Sequence, residues 1–364
     1  MKILYDYQIF SIRQYGGISR YFVELAAEIS KNRNLHVSIV APLNRSLFLS
    51  EQRSRVSTIG VDLSSIPDLS PRVVRPINSL LFRAYAAFAA PDIVHETFYG
   101  PSRSAPKHAR IVTTIHDTIP ERLPQFFPRV EKHRAEKRLA LRRADHILCV
   151  SQSTRRDLLE LYDVDPAHVS VALLGSSIEP VSDEPVKIDS PYFLHVGARY
   201  EYKNFNGLVQ AFGEARLHAT HKLVSFTAHP FTASELNAME KAGVPRSAVV
   251  RTGGNDRALA RFYAGAEALV FPSFYEGFGI PLLEAMRCGC PIVTSNTSSL
   301  VEVAGDAAVY CDPADVKSIS NAMLEVASSP GLRALLIAKG RARAQSFTWE
   351  RCAMETVKAY QSIM

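Results

Sequence analysis

Short apolar runs alternate with longer amphipathic stretches along the whole chain. The amphipathic stretches have the spacing of helices, and the apolar runs have the length of buried strands. Six runs lie in each half, at residues 2–10, 36–42, 92–96, 110–116, 146–151 and 169–175, and at 192–198, 222–228, 249–253, 268–273, 291–296 and 308–312. Strands that alternate with helices are typical of parallel sheets covered by helices. The pattern therefore predicts an α/β fold with two parallel sheets.

Residues 176–190 interrupt this alternation with two prolines, several acids and serines, and little apolar periodicity, which is typical of a linker. A chain of 364 residues is long for a single core and suits two domains. We therefore predict a Rossmann-like domain over residues 1–180 and a second over 191–346, with residues 347–364 forming a helix. Neither half contains Gly-x-Gly-x-x-Gly, which argues against a dinucleotide dehydrogenase.

Two glutamates eight positions apart flank a predicted junction between a loop and a helix. Glu276 lies in the loop after the run 268–273, and Glu284 lies just past the first turn of the helix. Pro281 suits the first helical position, and Gly289 suits the end of the helix. The start of a helix offers unpaired N–H groups and a positive dipole end, which suit a phosphate. The N–H groups expected to serve there belong to Gly277, Phe278, Gly279 and Ile280.

Carboxylates on either side of a phosphate site predict a site for a sugar nucleotide. The alternative is that Glu284 only complements the helix dipole and that Glu276 is a solvated loop residue.

The segment from Glu276 to Met286, Glu-Gly-Phe-Gly-Ile-Pro-Leu-Leu-Glu-Ala-Met, closely resembles the Glu-x7-Glu signature of retaining glycosyltransferases of family 4. The match continues through residues 291–308 and, in weaker form, over nearly the whole chain. The resemblance implies the GT-B fold, in which two Rossmann-like domains with parallel sheets face each other across an interdomain cleft. It also implies donor binding mainly to the second domain, acceptor binding mainly to the first, and a C-terminal helix, 347–364, that crosses back to the first domain.

Two motifs of the first half gain a role from this resemblance. Gly16 and Gly17 open a helix after the first strand, where paired glycines let a ligand approach the backbone, although ordinary tight turns use the same pair. His116 and Asp117 end a buried strand, at the edge of a sheet where ligands bind. The resemblance implies that Gly16 and Gly17 lie near the donor phosphate and the acceptor. It implies that His116 contacts the donor sugar and that its carbonyl stabilises developing positive charge. Asp117 would orient His116 or bind substrate, or else cap a helix. With Glu276, these two are the predicted catalytic residues.

A further motif, in the second half, follows the first strand there and reads Gly-Ala-Arg199-Tyr-Glu-Tyr-Lys203-Asn. Fixed cations stabilise a leaving phosphate without a metal. The resemblance implies that Arg199 and Lys203 serve this role. Many members have the arginine directly after the glycine, whereas here Ala198 takes that place, so a merely solvated Arg199 is the alternative.

We expect no metal and no cofactor beyond the sugar-nucleotide donor. Asp163-Val-Asp165 has the Asp-x-Asp form of metal-dependent glycosyltransferases of another fold, but its surroundings predict a turn between a helix and a strand. No other cluster of ligand residues accompanies it.

The net positive charge of the chain lies in its first half. Residues 1–180 carry 24 Lys and Arg against 18 Asp and Glu, and the remaining residues carry 18 of each, which gives the net charge of +6.

The basic helix predicted over 129–145 is either a solvated face or a surface for anionic membrane or an anionic acceptor. Arginines at positions 72, 75 and 83 interrupt an apolar helix within 68–90, which predicts core packing or, alternatively, a groove for a lipid acceptor. No aromatic residues interleave with basic ones as in nucleic-acid platforms, so we expect no nucleic-acid partner.

No apolar run approaches the roughly 20 residues that a membrane span needs. The first residues predict a strand and not a signal peptide. The five cysteines are odd in number and contain no Cys-x-x-Cys, which favours reduced thiols. We therefore expect a cytoplasmic protein, with peripheral association at the inner face of the membrane as a hypothesis.

The resemblance thus implies a retaining glycosyltransferase, and we expect it to be independent of a metal. The Gly-Phe-Gly-Ile-Pro loop is similar to that of many mannosyltransferases, so GDP-mannose is the first expected donor, and UDP-glucose or UDP-N-acetylglucosamine is the alternative. By analogy, the acceptor is a saccharide or lipid-linked saccharide of a surface polysaccharide. A glycoside phosphorylase or hydrolase that uses Asp117 and Glu276 as its carboxylate pair, and a non-catalytic subunit of the same fold, are the rival hypotheses.

Overall fold

The computed structural model describes residues 1–12, 16–52, 54–63, 71–181, 186 and 188–364. The chain divides into two units. Unit 1 comprises Met1–Glu121, Phe127–Gly175 and Trp349–Met364, and unit 2 comprises Arg122–Phe126 and Ser176–Thr348. Each unit contains one sheet, and every strand pair in the described residues is parallel. The predicted α/β fold with two parallel sheets is confirmed.

The sheet of unit 1 has the strand order β3-β2-β1-β4-β5-β6-β7. Its strands are β1 (Lys2–Tyr5), β2 (His36–Asn44), β3 (Ser57–Asp62), β4 (Ile93–Glu96), β5 (Arg110–Ile115), β6 (His146–Cys149) and β7 (Val169–Val171). The helices in this part of the chain are α1 (Gly17–Ile29), α2 (Leu47–Glu51), α3 (Pro71–Ala89), α4 (Ile119–Arg122), α5 (Val130–Arg143) and α6 (Gln152–Leu161).

The sheet of unit 2 has the strand order β10-β9-β8-β11-β12-β13. Its strands are β8 (Tyr192–Val196), β9 (Lys222–Phe226), β10 (Val249–Thr252), β11 (Ala268–Phe271), β12 (Ile292–Ser295) and β13 (Val309–Cys311). Its helices are α7 (Phe205–Glu214), α8 (Ala233–Lys241), α9 (Asp256–Gly265), α10 (Ile280–Cys288), α11 (Ser298–Ala304), α12 (Val316–Ser328) and α13 (Pro330–Ala344). The last helix of the chain, α14 (Trp349–Gln361), belongs to unit 1.

Each of the twelve predicted runs contains a strand, but two features differ from the prediction. The run 2–10 is too long, because β1 ends at Tyr5 and Ile9–Ser11 form a short 3-10 helix. Ile9 and Phe10 are apolar because they are buried, and a short apolar run does not reveal whether its backbone is extended. The sequence also gave no signal for β3, because this edge strand is only half-buried and Val61 is largely exposed.

A chain of buried hydrogen bonds joins α14 to the sheet of unit 1. The hydroxyl of Tyr360 lies 2.7 Å from Nδ1 of His95 on β4 and 2.9 Å from the hydroxyl of Tyr5 on β1. Nε2 of His95 lies 2.8 Å from Oγ1 of Thr114 on β5. Burial lowers the pKa of His95 to about 3, so the imidazole is neutral at pH 7 and has one donor and one acceptor nitrogen to fill. The C-terminal helix is therefore part of the core of this unit.

Unit 2 also contains a buried histidine, His195 on β8, which differs from His95 in its hydrogen bonding. The residue is 0% exposed, and its ring packs against that of Phe205 with 5.1 Å between centroids. Within the described part of the chain, neither ring nitrogen has a hydrogen-bond partner. Burial, with smaller contributions from the charges of Lys203 and Arg199, lowers the pKa of His195 to about 3. The core of unit 2 thus holds a neutral imidazole that unfolding would allow to take up a proton.

All five cysteines are buried, and none forms a disulfide. Among the helices of the described residues, none combines the length and the apolarity needed to cross a bilayer.

We expect His195→Met to reduce the pH dependence of stability. Between the unfolded pKa of 6.5 and the folded pKa of about 3, the unfolded chain binds one proton at His195 that the folded chain does not, so stability is lost as pH falls. Between pH 7.5 and pH 5, this histidine should account for about 2 kcal/mol of the lost free energy of unfolding. Urea unfolding at both pH values measures the difference between wild type and variant. An equal loss in both proteins would contradict the neutral, buried state of His195.

Candidate active site

The order of the strands in unit 2 reverses between β8 and β11. β9 and β10 follow β8 on one side, and β12 and β13 follow β11 on the other. In parallel sheets, ligands bind outside the carboxyl ends of the strands at such a reversal. Lys203 lies in the loop after β8, and Glu276 lies in the loop after β11. The topology alone therefore places these two predicted residues at the expected ligand site of unit 2.

The structure brings Lys203 and Glu276 into direct contact. Nζ of Lys203 donates to Oε1 of Glu276 at 2.8 Å, and both side chains are largely shielded from solvent. Oγ of Ser273 donates to the same carboxylate oxygen at 2.8 Å. The ammonium also lies 4.9 Å from the centroid of the Phe271 ring. A charge pair with an additional hydrogen bond and an aromatic face beside it is held in one geometry before any ligand arrives.

Serines from the start of α11 hold the backbone of the Glu276 loop. The amide of Glu276 donates to Oγ of Ser298 at 3.1 Å, and Oγ of Ser299 donates to the carbonyl of Glu276 at 2.9 Å. Ser298 has a left-handed backbone, with a φ of 51°. Such strained residues persist where the surroundings hold them, and functional sites are enriched in them. The roles of Ser273, Ser298 and Ser299 had no recognisable signal in the sequence, because each depends on a contact between separate loops.

A left-handed glycine turns the chain from this loop into α10. Gly279 caps the helix with a φ of 103°, and a Cβ added there would lie 2.9 Å from Cδ2 of Leu300. The left-handed backbone therefore favours glycine, and a Cβ there would also require the Leu300 side chain to move. Ile280 is the first helical residue and Pro281 the second, so the predicted place of Pro281 is one residue off. Gly289 ends the helix in the left-handed conformation, as predicted.

The residues around this junction offer backbone rather than side chains to a ligand. The ring of Phe278 is buried and packs edge-on against that of Phe347, with 5.9 Å between centroids. The start of a helix suits an anion, but in α10 Pro281 has no N–H group and the amide of Leu282 donates to the carbonyl of Gly279 at 3.0 Å, so Ile280 is the residue of the first turn whose amide suits this role. Gly277, Phe278 and Gly279 thus lead from Glu276, which contacts Lys203, into the helix that begins at Ile280.

Glu284 lies within α10 and is buried, with 6% of its surface exposed. The hydroxyl of Tyr263 on α9 donates to its Oε2 at 3.0 Å. Burial, together with the nearby Glu284 carboxylate, raises the pKa of Tyr263 well above its usual value. Tyr263 therefore stays protonated and donates to Glu284, a role that the sequence alone did not reveal.

Arg199 does not join this cluster. Its guanidinium forms a buried ion pair with Glu235 of α8, with Nε 2.7 Å from Oε1. It also donates to Oγ of Ser225 and to the carbonyls of His229 and Pro230. The same group stacks near the rings of Phe205 and Phe231. The structure therefore shows Arg199 fastening loops of unit 2 together, with its donors engaged away from Lys203.

In unit 1, Gly16 precedes α1 with an extended backbone, φ 177°, and Gly17 is the first residue of that helix. Both are exposed. The nearest atom to a Cβ built on Gly16 is Oγ of Ser19, at 3.9 Å. Neither the backbone nor the packing of the described residues requires glycine at position 16.

His116 follows β5 in unit 1 and is partly buried. Its ring packs edge-on against those of Tyr21 and Phe22, at 5.0 and 5.7 Å between centroids. Its Nε2 is shielded from solvent and has no hydrogen-bond partner among the described residues. Burial, with a smaller contribution from the charge of Lys137, lowers the pKa of His116 to about 3. The imidazole is therefore neutral at pH 7.

Asp117 forms a local turn, because its Oδ1 accepts from the amide of Ile119 at 3.1 Å. This contact at the start of α4 resembles the capping role that was the alternative for Asp117. The Asp163-x-Asp165 segment is also a turn, as predicted, since Asp165 caps a short 3-10 helix and accepts from the amide of Ala167.

Lys137, on α5, supports the segment that contains His116 and Asp117. Its ammonium donates to Oε1 of Glu121 at 2.8 Å and to the carbonyl of Asp117 at 3.0 Å. Tyr162 donates to the same oxygen of Glu121 at 2.6 Å. The side chains of Lys137 and Glu121 are 3% and 1% exposed. The expected basic surface of residues 129–145 must be corrected here, because Lys137 belongs to the interior of unit 1.

We expect Lys137→Met to destabilise unit 1 by about 3–5 kcal/mol, because it leaves the Glu121 carboxylate buried without its cation. The double variant Glu121→Gln, Lys137→Met should recover most of this loss, since no buried charge remains. Trp349 is the only tryptophan and lies in unit 1, so its fluorescence during urea unfolding reports on this unit. Equal destabilisation of the single and double variants would contradict a compensated charge pair.

Comparisons with known proteins agree with these two units. Residues 15–175 match the family described as Glycosyltransferase Family 4, and residues 179–343 match the family described as Glycosyl transferases group 1. The chain is 33% identical over 301 residues to O-antigen chain mannosyltransferase B of Escherichia coli, with 78% of each chain covered. It is 26% identical over 346 residues to the serotype-specific mannosyltransferase WbdA of Escherichia coli, covering 90% of this chain and 41% of that one.

Among solved structures, the fold is similar to that of a sucrose-phosphate synthase from Thermosynechococcus elongatus. The TM-score is 0.80 at 20% identity, and the match covers 99% of this chain and 98% of that chain. The match to the mannosyltransferase, with both family matches, establishes the family, and the structural likeness establishes the class of fold. The chain therefore belongs to glycosyltransferase family 4 and is a glycosyltransferase with the GT-B type of α/β fold.

Proposed function

We propose that the protein is a retaining glycosyltransferase that transfers mannose from GDP-mannose to a saccharide or lipid-linked saccharide in the synthesis of a surface polysaccharide. The contact of Lys203 with Glu276 at the strand reversal of unit 2 is the observation that carries the proposal. The donor and acceptor rest on similarity to the O-antigen chain mannosyltransferase and to WbdA.

The proposed donor site uses three groups of unit 2. The ribose hydroxyls bind to the Glu284 carboxylate, which Tyr263 helps to keep in place. The diphosphate binds to the N–H groups at the start of α10 and to Lys203. An ammonium group has three donors, so Lys203 can keep its hydrogen bond to Glu276 while it donates to a phosphate oxygen. Glu276 accepts from hydroxyls of the donor sugar.

In the proposed reaction, the acceptor hydroxyl attacks the anomeric carbon on the face from which the diphosphate leaves. The bond to the phosphate oxygen breaks as the new glycosidic bond forms, and the leaving phosphate takes the proton of the acceptor. Lys203 and the α10 amides stabilise the negative charge that develops on the phosphate, and this type of fixed stabilisation is effective because it needs no reorganisation. The proposed reaction needs neither a metal ion nor a cofactor. Arg199 is left out of phosphate binding, because its donors are engaged with Glu235 and its neighbours.

Unit 1 contributes His116, Asp117 and the loop at Gly16 and Gly17 to the proposal, as the family resemblance implies. A pKa of about 3 makes His116 neutral, so it serves as a hydrogen-bonding group to the sugar and not as a cation. Its backbone carbonyl would stabilise positive charge that develops on the sugar ring. Asp117 would bind substrate, and the exposed amides at Gly16 and Gly17 would approach the donor phosphate and the acceptor.

A UDP-glucose or UDP-N-acetylglucosamine donor is the alternative, and a thermal-shift panel separates the two. GDP-mannose and GDP should raise the melting temperature more than UDP-glucose, UDP-N-acetylglucosamine and ADP-glucose at equal concentration. Transfer from GDP-mannose to n-octyl α-mannoside, with the anomeric configuration of the product read by NMR, then tests the reaction. A larger shift with a UDP sugar would replace the donor, and an inverted product would overturn retention.

The proposed location is the cytoplasm, with peripheral association at the inner face of the membrane. The excess of positive charge in residues 1–180 supports this, because anionic lipid attracts basic surfaces.

Lys203→Ala should lower the rate of transfer by roughly 10²–10³, the size of effect found for one preorganised electrostatic donor. Lys241→Ala, an exposed lysine of the same unit, serves as the control and should have the wild-type rate. The rate of each variant relative to the wild type should be the same with and without excess EDTA. Normal turnover by Lys203→Ala, or loss of wild-type activity in EDTA, would show that the metal-free mechanism is wrong.

Glu284→Ala should weaken nucleotide binding by about 1–3 kcal/mol, because the ribose hydroxyls and Tyr263 lose their acceptor. Calorimetric titration with GDP and 2′-deoxy-GDP tests the assignment to the ribose. The wild type should prefer GDP, whereas the variant should bind both nucleotides equally. If the preference survives in the variant, Glu284 does not bind the ribose.

A further inference from the structure

Aromatic side chains lie together on the loops of unit 2 that follow β8 and β11. Tyr200 and Tyr202, in the loop after β8, have their rings stacked with 5.9 Å between centroids and 18° between planes. Phe274, in the loop after β11, is stacked in the same way on Phe126, at 5.9 Å and 21°. The amide of Phe274 donates to the carbonyl of Tyr202 at 2.9 Å, so the two loops adjoin. These four residues form the aromatic cluster.

The aromatic cluster is open to solvent. Of the phenylalanine, tyrosine and tryptophan residues in the described part of the chain, only Tyr200, at 46%, and Phe88 of α3 are exposed. Tyr202, Phe126 and Phe274 are partly exposed. Aromatic surface that stays open to solvent on loops beside a site is typical of a place where a ligand binds.

The turn that carries the two tyrosines is held in one conformation. The amide of Lys203 donates to the carbonyl of Tyr200 at 2.8 Å. Asn204 ends the turn with a left-handed φ of 58°, and its Nδ2 donates to the carbonyl of Pro313 at 2.7 Å. Because the turn is already formed, a ligand that contacts these rings pays little to order the loop.

The aromatic cluster adjoins the sugar end of the proposed donor site. The centroid of the Tyr202 ring lies 5.5 Å from Nζ of Lys203, and Phe274 precedes Glu276 by two residues. In the proposed function, Lys203 binds the diphosphate and Glu276 binds the donor sugar, whereas the ribose is assigned to Glu284 within α10. The cluster is therefore placed beside the sugars and not beside the nucleobase.

We propose that the aromatic cluster is a subsite for a pyranose ring of the acceptor saccharide, which stacks on Tyr200. The C–H groups on one face of a pyranose carry a small positive charge, and the face of an aromatic ring is negative. The two faces therefore attract each other, while the sugar hydroxyls at the rim bond to water or to polar groups. This inference rests on the proposed function and deepens it, because it names the class of ring that the acceptor presents and the residue that contacts it.

A purely apolar occupant, such as a lipid chain, is less suited to this cluster than a saccharide. Both members of the pair that contains the exposed ring are tyrosines, and a tyrosine hydroxyl that is covered needs a hydrogen-bond partner. The Lys203 ammonium beside Tyr202 would also lose contact with water. A saccharide brings an apolar face and hydroxyl groups to the same place.

Saturation-transfer NMR tests the binding without a donor sugar. The protein is saturated at its aromatic protons, with and without GDP, in the presence of the methyl α-glycosides of mannose, glucose, galactose and N-acetylglucosamine in turn. At least one glycoside should receive saturation at its ring C–H protons in the wild type and in Tyr200→Phe, which keeps the ring. Tyr200→Leu should lower this signal at least threefold. Phe88→Leu, which removes the exposed ring of unit 1, is the matched control and should give the wild-type signal.

Steady-state kinetics test whether the bound saccharide is the acceptor. With n-octyl α-mannoside as acceptor, Tyr200→Leu should raise the KM for the acceptor roughly two- to tenfold, the size expected for the loss of one aromatic contact. The kcat and the KM for GDP-mannose should stay within twofold of the wild-type values, and Tyr200→Phe should restore the KM for the acceptor. A variant that is merely destabilised would not separate these constants.

The outcomes distinguish the subsite from the proposed function. Saccharide binding that depends on Tyr200, with no transfer from GDP-mannose, would contradict the proposed donor and support the subsite. Equal saturation signals for the wild type and Tyr200→Leu, or no signal from any of the glycosides, would overturn the subsite. Weaker binding of GDP by Tyr200→Leu would also overturn it, in favour of stacking on the guanine base.

Discussion

The ion pair between Lys203 and Glu276 is the interaction on which the candidate site depends. It connects the loops that follow β8 and β11, the two strands at which the order of the sheet reverses. A partly buried pair offsets the cost of removing two charges from water only when its geometry is well defined, and the loss of either partner leaves a charge uncompensated. Ser273 supplies a further hydrogen bond to the carboxylate, and Ser298 and Ser299 fix its backbone. The cation is therefore in place before a phosphate binds, which is the condition for effective electrostatic stabilisation.

The same principle organises the surroundings of His116 in unit 1. Lys137 neutralises Glu121 in the interior and donates to the carbonyl of Asp117, so a buried charge pair holds the segment that follows β5. Farther along the same sheet, the hydrogen-bonded chain from Tyr5 through Tyr360 and His95 to Thr114 joins α14 to β1, β4 and β5. In both of these examples, buried polar groups are satisfied by contacts between segments that are distant in the sequence.

Local signals in the sequence predicted most strands and the junction at α10. The apolar runs identify buried strands, and the glycines at 279 and 289 adopt the left-handed conformation at the two ends of the helix. β3 was missed because an exposed edge strand needs no apolar run. The contacts of Arg199 and Lys137 could not be predicted from the sequence, because a long charged side chain can reach whichever partner the tertiary fold places near it. Arg199 pairs with Glu235 and Lys137 pairs with Glu121, and neither acid is near its partner in the sequence.

The most direct test of the account compares GDP with guanosine by calorimetric titration, in the wild type and in Lys203→Ala. If Lys203 binds the diphosphate, the variant should lose affinity for GDP and keep its affinity for guanosine, because only the phosphates contact the ammonium. Circular dichroism of the variant should match that of the wild type, which separates loss of a contact from loss of the fold. Equal losses for both ligands, or no loss for GDP, would contradict the assignment of Lys203 to the phosphates.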